Sequence, residues 1–277
     1  MGLRLGVHLP QFGRAATPEA IRQAAVEAEA LGFDDVWVSD HLAVPDGRPY
    51  PPAFLYEPVI TLTWAAAATE RIGVGTSVLI LPNRHPLHLA KELATLDQLS
   101  GGRVVVGAGA GWLVEEFEAL GVPPAERGRR SDEALDVLRA CWSAEDPVTF
   151  HGPTVHFDAM KVRPKPAHPI PIWVGGSSPA ALRRAIERGD GWHGNVGVDE
   201  AGPLVAALRQ ERPEQSFTLS MRTGWDGLDT PADEIRSGAE AFAALGIQHL
   251  LVTPAQPDLD GWLRSADALW KVLAPLR

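Results

Sequence analysis

Eight alternations of a short apolar run with an amphipathic segment, spread over about 250 of the 277 residues, predict an α/β chain folded as a (β/α)8 TIM barrel. Internal similarity supports that count. Arg71-Ile72-Gly73-Val74-Gly75 returns 32 residues later as Arg103-Val104-Val105-Val106-Gly107, a spacing that fits one strand–helix unit. Ala28-Glu29-Ala30-Leu31-Gly32, before the second strand, likewise resembles Ala243-Ala244-Leu245-Gly246 before the last. Because the strands are continuous apolar runs rather than alternating ones, the sheet should be parallel and covered on both faces. A doubly wound Rossmann-type sheet is the alternative, and the eight-unit count disfavours it.

Residues 3–9 read as the first strand. Thr17, Pro18 and Glu19 then supply an N-cap, a first-turn proline and a first-turn acid for a helix whose face of Ile21, Ala24, Ala25, Ala28 and Leu31 runs to the stop at Gly32. Val36-Trp37-Val38 is the second strand, ending in Ser39-Asp40-His41. The alternation continues as helix 58–69, strand 72–80, helix 86–99, strand 103–108, helix 131–142, strand 171–174, helix 179–188 and a strand near 191–195. Helix 200–210, strand 216–221, helix 231–245, strand 248–252 and helix 259–273 complete it. The segments 42–57, 111–130 and 143–170 exceed minimal barrel connections, and place insertions after strand 2, after strand 4 and before strand 5. The whole chain, 1–277, is expected to be a single domain.

With 25 Lys plus Arg against 35 Asp plus Glu, the net charge of −10 argues against binding nucleic acid or an anionic membrane. The single cysteine, Cys141, excludes an internal disulfide or a cysteine-based zinc site and fits a reducing compartment. No apolar run approaches the roughly 18 residues that span a bilayer, and the N-terminus lacks the zones of a signal peptide. A soluble, cytoplasmic protein is the expectation.

A barrel carries its chemistry at the C-terminal ends of its strands. There, Gly107-Ala108-Gly109-Ala110-Gly111 has the spacing G-x-G-x-G with Trp112 where a dinucleotide fingerprint needs its third glycine, and no acid-ended strand follows about 20 residues on. Thin backbone that a flat ring could approach, or a tight turn at a strand end, both account for it. Gly175-Gly176-Ser177-Ser178-Pro179 opens a helix, which reads equally as an anion site or as an N-cap with proline at N1. Asp40 and His41 pair an acid with a proton donor in the mouth. His85 and His88 lack a carboxylate partner and the first strand offers only His8, so no metal is expected. Trp112, Trp192 and Trp225 stand near strand ends, each as core or as a wall for a flat ligand. No nucleophile elbow, P-loop or zinc motif occurs.

Longer motifs carry more. Leu81-Pro82-Asn83-Arg84-His85-Pro86-Leu87-His88-Leu89-Ala90-Lys91 and Ala94-Thr95-Leu96-Asp97-Gln98-Leu99-Ser100-Gly101-Gly102-Arg103, with the glycine turn through Trp112 and Glu116-Phe117-Glu118-Ala119-Leu120-Gly121, resemble the bacterial luciferase-like superfamily. Pro171 to Ser178 and Gly189-Asp190-Gly191-Trp192 extend the resemblance, which is nearest to the flavin- or F420-dependent oxidoreductases. It implies a dimeric barrel with a flavin or deazaflavin ring in the mouth, a small organic substrate, a non-prolyl cis bond within Thr76-Ser77-Val78 behind the ring, Asp40 and His41 facing cofactor and substrate, and Gly109 and Ala110 against the ring or tail. Gly175, Gly176, Ser177 and Ser178 would bind the phosphate. His41 is the implied catalytic proton donor. Where the sugar-phosphate dehydrogenase branch has a catalytic Glu, this chain has Trp112.

The expected activity is therefore hydride transfer with coenzyme F420. FMN-dependent oxygenation is the alternative, and a non-catalytic flavin-binding protein or a phosphate-sugar lyase are further rivals. An acidic F420 tail would need a basic rim, for which Arg14, Arg84, Arg163, Lys165 and Arg183 are candidates.

Overall fold

The computed structural model describes residues 2–277. Strand β1 (Arg4–His8) is followed by α1 (Pro18–Leu31), β2 (Asp35–Val38), α2 (Pro58–Ala67), β3 (Gly73–Ile80), α3 (Pro86–Ser100) and β4 (Val104–Gly109). A short helix α4 (Val114–Ala119) precedes α5 (Arg127–Trp142), and an antiparallel hairpin of β5 (Val148–His151) and β6 (His156–Met160) precedes β7 (Ile172–Gly175). The chain continues through α6 (Pro179–Arg188), β8 (Gly191–Gly194), α7 (Val198–Glu211), β9 (Thr218–Arg222), α8 (Ala232–Ala244), β10 (His249–Val252) and α9 (Leu259–Leu273). Eight parallel strands close in the order β1-β2-β3-β4-β7-β8-β9-β10, and β10 returns to β1 with Arg4 opposite His249 and Val7 opposite Val252. The predicted barrel is present, and the open doubly wound sheet is not.

Local signals set the helix ends. The Thr17 side chain accepts from the Ala20 amide at 3.0 Å, Pro18 occupies the first turn, and Gly32 closes α1 in the left-handed region at φ 105°. Helix α5 begins at Arg127, four residues before the predicted start at Ser131. Its first turn, Arg127-Gly128-Arg129-Arg130, is polar and carries no apolar periodicity, so only its ion pairs with Glu126 mark it. The segment 143–170 holds the hairpin, which the sequence reading leaves without structure. Glu133 of α5 anchors it by accepting from the amides of Thr154 and Val155 at 2.8 and 2.9 Å.

Tryptophan fills the barrel interior. Trp37 is fully buried, stacked on His193 with centroids 5.3 Å apart and on Trp173 at 5.4 Å. Its indole donates to Asp35, which also takes His249 Nε2 at 2.8 Å and Arg4 at 2.8 Å. Bulk of this size needs thin neighbours. A Cβ on Gly75 would lie 2.7 Å from the Trp37 ring, and one on Gly6 would lie 2.4 Å from Asp35 Oδ1. Part of the glycine surplus thus makes room for tryptophan. Gly75→Ala is expected to cost about 1–3 kcal/mol through overpacking, read as a lower urea midpoint at unchanged m-value. An unchanged midpoint would mean that the ring moves aside freely. Among the described residues, no helix is long and apolar enough to cross a membrane.

Candidate active site

The C-terminal ends of β2, β3, β4, β7, β8 and β9 surround a cavity of about 650 Å³, within the usual range for small-molecule sites. Of the residues expected at the site, Asp40, His41, Ser77, Val78, Gly109, Ala110, Gly175, Gly176 and Ser178 line it. Thr76 and Ser177 do not. The Thr76 hydroxyl donates to the Gly107 carbonyl at 2.8 Å, bracing β3 against β4, and Ser177 is exposed.

The Ser77–Val78 peptide is cis, at the position the resemblance implies, and the β3–β4 register shifts between Thr76 and Leu79. Val78 then stands between Gly109 of the neighbouring strand β4 and Gly175 of β7, the strand beyond it. A Cβ on Gly109 would lie 2.6 Å from Val78 Cγ2, and one on Gly175 would lie 2.8 Å from Cγ1. The thin backbone at those positions admits Val78, which forms part of the cavity floor.

Asp40 and His41 take separate partners. Arg84 binds both Asp40 oxygens, at 2.5 and 2.9 Å, and reaches Glu57 at 2.9 Å, while the Ile80 amide donates to Asp40 at 2.8 Å. The Asp40 carboxylate is thus engaged by the protein. His41 Nδ1 instead meets Glu116 Oε2 at 3.0 Å, and the amides of Leu42 and Ala43 donate to Glu116 Oε1 at 2.5 and 3.1 Å. Burial pushes the Glu116 carboxyl up, but the hydrogen bonds from His41, Ala43 and Leu42 outweigh it and hold the group below the ordinary range. The two insertions after β2 and β4 are joined by this buried acid. With Nδ1 engaged, Nε2 is the ring nitrogen left for the cavity that His41 lines.

On the other side, Ser178 caps α6 by accepting from Ala181 N at 3.2 Å, so the capping reading holds. Gly175, Gly176 and Ser178 nevertheless line the cavity beside Arg127 and Arg184. Arg184 is itself held by Asp132 at 2.6 Å. A helix N-terminus with two arginines nearby suits a phosphate. None of the five bases expected at the rim lines this cavity. Arg84 holds Asp40 and Glu57, Arg163 holds Asp146, and Lys165 donates to the carbonyls of Cys141 and Glu145.

Of the three tryptophans near strand ends, Trp112 lines the cavity, 49% exposed, with the Tyr50 ring parallel at 6.2 Å and Arg48 over it at 5.7 Å. Trp192 is fully buried, donating to the Gly176 carbonyl at 2.8 Å, and Trp225 packs near Phe242. His85 is the N-cap residue of α3, and His88, expected to lack a carboxylate partner, has Glu92 one turn on at 3.6 Å. Two residues of the mouth have no role assigned from sequence alone. Glu116, on the 111–130 insertion near the mouth, gains its partner His41 only once α4 turns it towards β2, and Arg222 is the last residue of β9, where a lone terminal charge is the available signal.

Comparison with known proteins shows the family. The profile of the luciferase-like monooxygenase family matches residues 3–246. The chain is 35% identical over 202 residues to an F420-dependent glucose-6-phosphate dehydrogenase of Kineococcus radiotolerans, covering 70% of this chain and 58% of that protein. It is 30% identical over 256 residues to a 4-hydroxyprotoasukamycin monooxygenase of Streptomyces nodosus subsp. asukaensis, covering 88% of this chain and 63% of that one. In fold it matches an F420-dependent secondary alcohol dehydrogenase in complex with an F420-acetone adduct, at a TM-score of 0.84, 22% identity and full coverage of both chains.

Proposed function

Since the chain belongs to the luciferase-like monooxygenase family, we propose that it is an oxidoreductase using coenzyme F420 to move a hydride to or from a small organic substrate, with His41 carrying the proton. The observation that supports this reading is the His41–Glu116 pair at the edge of a cavity floored by Val78, Gly109 and Gly175. The cavity volume suits a flat ring with a small substrate, and the end of α6 with Arg127 and Arg184 suits the cofactor's phosphate.

In this reading Val78, Gly109 and Ala110 would meet the ring, and Gly175 to Ser178 with Arg127 would hold the phosphate. The bound deazaflavin supplies the hydride acceptor or donor at C5. Glu116 fixes the imidazole with its Nδ1 proton inward, which leaves Nε2 to take the proton of a substrate hydroxyl during oxidation and to return it during reduction. Trp112 and Tyr50 flank the opening and restrict water. Trp112 occupies the position where the sugar-phosphate branch carries its acid, so a sugar phosphate is not the proposed substrate. Glu116, one helical turn further on, supplies the carboxylate instead.

FMN-dependent oxygenation is a second reading, favoured by the monooxygenase relative whose match spans 88% of this chain. Calorimetric titration of the cofactor-free protein separates the two. Saturable F420 binding near micromolar affinity is expected, and tight FMN binding without any F420 binding would overturn the proposal.

A further inference from the structure

Arg222 ends β9 in the cavity wall, and its hydrogen bonds all leave from Nη1. That nitrogen donates to the Ser77 carbonyl at 2.9 Å, to Ser39 Oγ at 3.1 Å and to Ser77 Oγ at 3.4 Å, all neutral acceptors. Among the described residues no carboxylate pairs with it, and Nε and Nη2 have no protein partner. The acids of the mouth and of the barrel interior are already engaged: Asp40 and Glu57 by Arg84, Glu116 by His41, and Asp35, at the other end of the strands, by Arg4 and His249. His8 and His193, which its charge reaches, offer no compensation, because burial keeps both imidazoles neutral, reinforced by the Arg222 charge at His8 and by His249 and then Arg222 at His193. Arg222 and Asn195 line both this cavity and the adjoining one under Trp225. Arg222 therefore borders open space on the side where the two meet.

A guanidinium withdrawn from bulk water without a counter-charge is unfavourable, and its planar fork matches a delocalised anionic oxygen. We propose that Arg222 forms a subsite for such an oxygen in the barrel mouth, supplied either by a carboxylate, phenolate or enolate group of a planar substrate or by the pyrimidine edge of the reduced cofactor. The cofactor source rests on the function proposed above. The substrate source does not.

Two measurements test the subsite and distinguish the sources. In calorimetric titrations of cofactor-free protein, benzoate is expected to bind at least tenfold more tightly than benzamide, and Arg222→Gln should abolish that preference while Arg222→Lys retains part of it. In the cofactor-loaded protein, Arg222→Gln should remove about a tenfold preference for the reduced form, a fall of about 30 mV in a two-electron potential. Loss of the benzoate preference alone assigns the subsite to substrate, and a fall in potential alone assigns it to cofactor. If both quantities stay unchanged in a variant whose urea midpoint and near-ultraviolet dichroism match the parent, the proposal is overturned. If neither F420 nor FMN binds, the reading of function fails, and the benzoate comparison alone still decides for or against Arg222.

Discussion

Replacing His41 by alanine is expected to lower kcat/KM by about 10²–10⁴-fold, the usual worth of a positioned acid or base. Glu116→Gln should lower kcat by a smaller factor, about 10–100-fold, with KM little changed, because the imidazole remains but loses the carboxylate that fixes its tautomer and orientation. Glu116→Ala goes further, since it leaves the Leu42 and Ala43 amides and His41 Nδ1 without their acceptor. That variant should also lose about 1–3 kcal/mol of stability, measured as a urea midpoint, as expected for buried donors stripped of a partner. Steady-state kinetics on all three variants check the assignment. Full activity in His41→Ala would remove His41 from the reaction.

The second large effect concerns acid. Burial holds the His8 and His193 imidazoles at a pKa of about 3, reinforced by the Arg222 charge at His8 and by His249 and then Arg222 at His193. In the unfolded chain both protonate near 6.5. Between pH 6.5 and 3 the unfolded state therefore binds more protons than the native one, and stability falls as pH falls. Each histidine contributes a slope of about 1.4 kcal/mol per pH unit once well below 6.5, so the pair gives about 2.7. Asp35 adds to this only further down, because its pKa of about 2 lies below the unfolded value of 3.8 and its contribution is lost between the two. Its burial opposes that depression, and His249 and Arg4 overcome it. Urea midpoints should change little from pH 7.5 to about 7 and then fall with growing slope towards pH 5, above most carboxylate titration, and His193→Gln should about halve that slope. A flat midpoint over that range would contradict neutral burial of these rings.

Much of the barrel was legible in the sequence because its determinants are local. Thr17 with Pro18, Ser178 with Pro179, and Gly32 each act within one turn, and they mark helix ends where the structure has them. Strand register and orientation were less accessible. Val36-Trp37-Val38 reads as apolar on both faces, and nothing in it says that Trp37 turns inward against His193. The hairpin of β5 and β6 escaped because its strands are short and mix apolar with polar residues, and its anchor, Glu133, lies on another element. In the mouth, the residues that the strand-end rule and the resemblance single out, Asp40, His41, Val78, Gly109 and Gly175, line one cavity. Neither could distribute their partners: Arg84, read as a candidate for a cofactor's tail, closes on Asp40, and the acid beside His41 comes from a helix 75 positions away.

That Arg84 closure also bears on how such a protein can diversify. Asp40 and Glu57 bracket the segment 42–57, and one guanidinium clasps both carboxylates. The two ends of the loop are thereby fixed to the scaffold independently of what lies between them. For a flexible segment with anchored ends, doubling the length costs only about 0.6 kcal/mol in closure entropy. Residues such as Tyr50 can thus be exchanged, or the loop lengthened, without disturbing Val78 or the strands beneath. The arginine makes the rim an exchangeable cassette on a constant floor, and changes can accumulate there while the surface around Val78 is inherited intact.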